Sequence, residues 1–101
     1  MKIREIEAYF ETLYPEENKC AWDNDGLLLC PDRDREVSGV LTCLDVTFPA
    51  IEAAKELGCE LIVSHHPLIF SPVKSITEDS IVGQKILLLL ESKVHCEIFL
   101  H

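Results

Sequence analysis

The sequence is short of basic side chains: 9 lysine and arginine residues stand against 18 acidic residues, for a net charge of −9 at pH 7. No cluster of lysine and arginine interrupts this excess of negative charge. Because a surface of this sign repels phosphate backbones, the composition argues against a nucleic-acid partner.

Cysteine-pairing signals and long apolar runs are also missing. The 5 cysteines are odd in number and include no Cys-x-x-Cys pair, which favours free thiols in a reducing compartment over a disulfide framework. The longest apolar run, Ile86 to Leu90, is far too short to span a bilayer, and no basic-then-apolar leader opens the chain. We therefore expect a cytoplasmic protein with no membrane partner.

The chain does have enough apolar residues for one modest core, since 48% of its 101 residues are hydrophobic. Apolar residues at spacings of three and four between Ile3 and Tyr14 predict an N-terminal helix that ends before Pro15. The run CAWDNDGLLLC, from Cys20 to Cys30, follows as a predicted loop, because Asn, Asp and Gly at its centre favour a turn.

The rest of the chain alternates strands and helices. Thr47 and Gly58 are the predicted cap and stop of the first intervening helix, with Ile51, Ala54 and Leu57 facing inward. A second helix is predicted to start near Asp79 or Ser80. The predicted strands are Gly39 to Leu44, Glu60 to Ser64 and His95 to Leu100, the first of them apolar enough to be buried on both faces.

This order predicts an α/β fold: a βαβαβ parallel sheet with right-handed crossovers and an N-terminal helix. Polar side chains follow each predicted strand, with Asp45 after the first, His65 and His66 after the second, and His101 after the third. Ligands of open α/β sheets bind outside the carboxyl ends of the strands. The sequence therefore predicts that these four side chains converge on one edge.

The tandem histidines have two interpretations. Pro67 disfavours the helical region for His66, so the chain can turn out of the sheet and present both imidazoles to the crevice, where each could bind a metal ion. Alternatively, one histidine is a hydrogen-bonded boundary residue and the other faces solvent. Imidazole and carboxylate ligands without thiolate suit zinc, iron, manganese, nickel or copper.

Three motifs, in this order and at these intervals, resemble the opening third of the NIF-three-like family. They are WDNDGLLL at Trp22 to Leu29, LDVT at Leu44 to Thr47 and SHHPLIF at Ser64 to Phe70. The resemblance implies an α/β fold, a ring-shaped homohexamer and two divalent metal ions per subunit. Some members are described as GTP cyclohydrolase type-two-like.

The resemblance also implies site residues. His65 and His66 match the family's histidine ligands, and His101 matches the histidine that opens its His-Thr-Asn-x-Asp segment, whose aspartate bridges the metals. Asp45, like Asp23 or Asp25, matches a motif position near the site without being expected to ligate metal. The bridging aspartate and the family's later histidine and glutamate are not in this chain. We therefore expect residues 1–101 to be a single, truncated N-terminal α/β segment of a larger NIF-three-like fold, with weak or single-metal binding.

Two functions remain open. The first is a metal-dependent hydrolase of the GTP cyclohydrolase kind in the intact protein, acting on a nucleotide or another small polar substrate. The second is a non-catalytic metal-binding scaffold that forms rings or docks regulatory partners. The sequence contains no P-loop or other nucleotide signature that would favour the first.

Overall fold

The computed structural model describes residues 1–13, 26–94 and 96–99, the last of these for their backbone only. This part of the chain forms three helices and four strands. In chain order they are α1 (Ile3–Leu13), β1 (Gly26–Leu29), β2 (Val40–Cys43), α2 (Phe48–Leu57), β3 (Leu61–Ser64), α3 (Ile81–Glu91) and β4 (Cys96–Phe99).

The three strands predicted from the sequence form the predicted parallel sheet. Strand β3 lies between β2 and β4, with Leu61 level with both Val40 and Cys96. Helix α2 connects β2 to β3, and α3 connects β3 to β4. The predicted α/β fold class is therefore confirmed, and the carboxyl ends of β2, β3 and β4 meet at one edge.

Strand β1 was not expected, because the sequence analysis places its residues in a loop. It pairs antiparallel with β4, with Gly26 opposite Phe99, and completes a four-stranded mixed sheet in the order β1-β4-β3-β2. The register shifts between Leu27 and Leu29. Gly26 has a φ of 109°, a conformation that glycine adopts without steric cost. Pairing and half-burial of the leucines after this glycine outweigh the local preference for a turn.

Helices cover both faces of the sheet, and the central strand β3 divides the core between them. Ile62 packs on one face with Ile51 of α2 and with Ile86 of α3. Leu61 packs on the other face with Ile3 of α1. This alternation follows from the period of two along a strand.

Two burial predictions are wrong. Strand β2 is not buried on both faces: Val40 is 46% exposed, because β2 is an edge strand of the sheet. Leu57 does not face inward but is 72% exposed, since α2 ends there and Gly58 turns the chain away with a φ of 73°. Ile51 and Ala54 of the same helix are buried as predicted.

Thr47 caps α2 as predicted, since its Oγ1 accepts a hydrogen bond from Ala50 N (3.1 Å). Helix α3, predicted to start near Asp79 or Ser80, is capped by Ser80, whose Oγ accepts a hydrogen bond from Gly83 N (3.0 Å). Such caps satisfy amide groups that the first helical turn leaves unpaired. Within the part of the chain that the structure describes, no helix combines the length and apolarity needed to cross a membrane.

Candidate metal centre

The backbone of the tandem histidines is anchored to the end of the neighbouring strand. His65 N donates to Cys43 O (3.0 Å) and His66 N donates to Leu44 O (2.7 Å), so the hydrogen bonds between β2 and β3 continue past Ser64. Ser64, only 1% exposed, donates its hydroxyl to His66 O (2.8 Å). These bonds fix the course of the chain as it leaves the sheet.

The two imidazole rings lie side by side at this edge. Their centroids are 5.1 Å apart and their planes are inclined by 46°. Consecutive residues of a regular strand point to opposite faces, so this proximity depends on the bend that the chain makes at His65 and His66. Both side chains are exposed, so their proximity fits either of the two interpretations of the pair.

Asp45 joins the pair from the end of β2. Its Oδ1 lies 2.8 Å from His66 Nδ1, and the two side chains are 60% and 57% exposed. A carboxylate accepts a hydrogen bond only from a protonated Nδ1, so neutral His66 then carries its lone pair on Nε2. Asp45 thus directs the basic nitrogen of His66 away from itself and toward solvent.

The described residues supply two imidazoles but not a complete ligand set. Residues 1–13 and 26–94 contain no cluster of three or more histidine, cysteine, aspartate or glutamate side chains arranged to hold a metal ion. His101 lies outside the described residues, as do Trp22, Asp23 and Asp25. The donors therefore fit part of a metal site with imidazole ligands.

The loop that follows the histidines lines a groove of about 560 Å³, a feature that the sequence did not predict. Its wall is the loop from Pro67 to Ser75, which starts directly after His66, together with Ser80 and Val82 at the start of α3. Phe70 in this wall is 73% exposed, and Lys74 contributes a positive charge. The two prolines of the loop, Pro67 and Pro72, were the available signal that it has a defined course.

The start of α3 packs closely against the same loop. A Cβ atom added at Gly83 would collide with the carbonyl oxygen of Thr77. Glycine at this position therefore lets the backbone at Thr77 approach the helix closely.

Comparison with known proteins gives a consistent result. The family model Duf34/NIF3 (NGG1p interacting factor 3) matches residues 1–96. The "GTP cyclohydrolase 1 type 2 homolog" of Clostridium perfringens is 38% identical over 95 residues, which cover 94% of this chain and 36% of that protein. The chain thus spans about a third of the length of this relative.

Solved structures share the fold. Staphylococcus aureus protein SA1388 is 39% identical with a TM-score of 0.90, and the match covers 100% of this chain and 32% of that one. A Bacillus cereus protein related to NIF3 is 32% identical with a TM-score of 0.86, over 98% of this chain and 27% of that one. Since the family model matches nearly its whole length, this chain belongs to the Duf34/NIF3 family.

Proposed function

We propose that His65 and His66 are ligands of a divalent metal centre and that the whole protein is a metal-dependent hydrolase of a small polar substrate. One observation carries the proposal: the two imidazoles lie 5.1 Å apart at the carboxyl ends of parallel strands, with Asp45 bonded to His66 Nδ1. Ligands of open α/β sheets bind at this edge.

Asp45 acts on the metal through His66. Metal-bound histidines usually donate their other ring N–H to a carboxylate, which fixes the tautomer and makes the ligating nitrogen more basic. The 2.8 Å contact between Asp45 Oδ1 and His66 Nδ1 has this arrangement. Ser64 and the amide hydrogen bonds to Cys43 and Leu44 hold the ring-bearing backbone in place.

The remaining ligands must come from elsewhere, because catalytic zinc ions usually have three protein ligands and an open position. We propose His101 as one of them. It follows Phe99 at the interval at which His66 follows Ser64, and Phe99 and Ser64 are level in the sheet. In the whole protein, further ligands would complete a site for two ions of zinc, iron, manganese or nickel.

A bound metal ion would supply Lewis acidity and lower the pKa of a coordinated water. The chain's own residues would position the substrate in the groove lined by the loop from Pro67 to Ser75. The exposed ring of Phe70 suits a flat apolar group, and Lys74 suits an anionic group. A nucleotide has both features, and the name of the Clostridium perfringens relative suggests GTP as the candidate to test.

The proposal includes assembly into a homohexamer in the cytoplasm. The apolar side chains Val40 and Leu44, at the edge strand, are exposed, as is Phe70, and such surfaces are normally covered in an assembly. Cys59, a buried cysteine of the described part of the chain, is a free thiol, which suits a reducing compartment.

The test uses both this chain and the Clostridium perfringens relative. Zinc, manganese, nickel and iron are titrated into each, and hydrolysis of GTP and of simple phosphoesters is assayed for the relative. Replacing the counterparts of His65 and His66 with alanine should abolish both metal binding and turnover. Metal-dependent assembly without turnover of any of these substrates would instead support the non-catalytic scaffold. Unchanged metal affinity in both alanine variants would contradict the proposed ligands.

A further inference from the structure

A second cavity, of about 280 Å³, lies at the opposite edge of the sheet from the histidines. Its wall includes Gly58, Cys59 and Glu60, which directly precede β3, and Ser92 and Lys93, which directly follow α3. Glu60 in this wall lies five residues before His65, about 17 Å away along the extended strand β3. It shares no residue with the candidate metal centre.

The wall of this cavity concentrates positive charge in an acidic protein. Arg35, Lys55 and Lys93 line it, which are three of the nine basic side chains of the chain. Glu60 is the only carboxylate in the wall, so the formal charge of the lining is +2 at pH 7. No partner for Lys55 or for the Lys93 side chain occurs among the described residues.

The carboxylate of Glu60 accepts hydrogen bonds from two residues that do not line the cavity. Its Oε1 accepts hydrogen bonds from Ser38 N (2.8 Å) and Gly39 N (3.2 Å), and its Oε2 accepts one from Ser38 Oγ (2.9 Å). These hydrogen bonds hold the carboxylate at Ser38 and Gly39, just before β2, and it forms no ion pair with either lysine among the described residues.

A buried hydroxyl in the same wall lacks a partner. Ser92 Oγ is inaccessible to solvent and has no hydrogen bond to any of the described residues. Arg35 Nη2 donates to Lys93 O (2.9 Å), which holds the Ser92–Lys93 turn against the arginine. Because this hydroxyl is inaccessible even to water, it is not counted among the groups that can contact a ligand in the cavity.

We propose that this cavity binds a phosphate-type oxyanion, either inorganic phosphate or the phosphate group of a monoester. Lys55 and Lys93 supply ammonium groups, which are common phosphate ligands, and Arg35 supplies a further positive charge. The volume exceeds that of a phosphate group, so the first atoms of an ester also fit.

A simpler role for the lysines makes a different prediction. Lys55 lies in the last turn of α2 and Lys93 just beyond α3, where positive charge offsets the negative end of a helix dipole. If that were their whole role, replacing them would lower the free energy of unfolding by the same amount with and without phosphate.

The experiment titrates the 101-residue chain with inorganic phosphate and, separately, with phenyl phosphate, and follows the two-dimensional amide NMR spectrum. Sodium chloride at equal ionic strength is the control for screening. The variants are Lys55→Gln and Lys93→Asn, the latter because asparagine tolerates the φ of 63° at this position. Lys85→Gln makes the same change in net charge at a lysine that lines neither this cavity nor the groove of the loop after His66.

The expected result is a saturable shift of the Gly58, Ser92 and Lys93 amides with phosphate and not with chloride. The affinity should fall about tenfold in Lys55→Gln and in Lys93→Asn and stay unchanged in Lys85→Gln. Tighter binding of phenyl phosphate than of inorganic phosphate would identify the ligand as an ester. The absence of a saturable shift, or equal weakening in all three variants, would overturn the proposal. Lys55 is exposed on α2, so its variant keeps the test valid if Lys93→Asn does not fold.

Discussion

Asp45 Oδ1 lies 2.8 Å from His66 Nδ1, although 21 residues separate them along the chain. The contact depends on the parallel register of β2 and β3, in which Cys43 is level with Ser64. The polar residues that follow these strands, Asp45 after β2 and His66 after β3, therefore lie at the same edge of the sheet. The fold thereby prepares a carboxylate–imidazole pair whose remaining nitrogen, Nε2, is available to a ligand.

Replacing Asp45 with alanine should weaken zinc binding about tenfold, because His66 loses the carboxylate that fixes its tautomer and makes Nε2 more basic. Isothermal titration of the chain with zinc measures this change. Asp34→Ala is the matched control, since Asp34 is also an exposed aspartate but pairs with Arg4 (3.2 Å). Equal affinities for the two variants would show that Asp45 does not act on the metal.

Replacing Ser64 with alanine should lower the free energy of unfolding by about 1 kcal/mol, because its hydroxyl donates to His66 O from a buried position. Zinc affinity should fall as well, since the bend that brings the imidazoles together loses one restraint. Urea denaturation and zinc titration give the two values. Ser75→Ala changes an exposed serine and should alter neither. A Ser64→Ala protein with unchanged zinc affinity would mean that the bend does not need this bond.

Much of the fold was predictable because its signals are local. Helix α2 begins after its predicted cap Thr47 and ends at Gly58, and α3 begins after Ser80, one of its two predicted starts. Capping depends only on residues within one turn. Strand β1 was not predictable in this way. It pairs with β4, far away in the sequence, and the local turn signal before Gly26 favours a loop.

Burial depends on the order of the strands in the sheet, which no local pattern encodes. Strands β2 and β3 are similarly apolar, yet only β3 is central, and Val40 is consequently far more exposed than Leu61. Likewise, Asp45, His65 and His66 could be assigned to one edge because each follows a strand. The groove after His66 could not, because it depends on how the loop from Pro67 to Ser75 packs against α3.

Glu60→Gln should lower the free energy of unfolding by about 1 kcal/mol at neutral pH. The effect is smaller than for a fully buried carboxylate, because solvent screens the partly exposed charge. Partial burial raises the pKa of the Glu60 carboxyl, but hydrogen bonds from Ser38 and Gly39 outweigh that effect and hold the pKa below its usual range. A lowered folded-state pKa contributes stability above the unfolded value, about 4.3, and that contribution is lost as the pH falls through the folded value.

The difference in unfolding free energy between wild type and Glu60→Gln should therefore be constant near neutral pH and shrink below about pH 4. Denaturation at a series of pH values measures it. Glu56→Gln, on the exposed face of α2, is the control and should show a much smaller difference. A difference that grew on acidification would contradict the assigned direction of the pKa shift.

Gly83→Ala should destabilise the chain by about 1–3 kcal/mol, although alanine favours helices, because the new Cβ collides with Thr77 O. Thermal unfolding measures the loss. Gln84→Ala, at the next position of α3, serves as the comparison and should cost less. If the Gly83→Ala chain were as stable as wild type, the backbone at Thr77 would be able to move away from the new Cβ without loss of stability.

The most direct test of the metal centre is a zinc titration of the chain followed by imidazole nitrogen NMR. We predict that zinc shifts the ring nitrogens of both His65 and His66, and that His66 keeps its proton on Nδ1 while Nε2 takes the metal. Zinc that left both rings unshifted, or bound His66 through Nδ1 with loss of the Asp45 contact, would contradict the account.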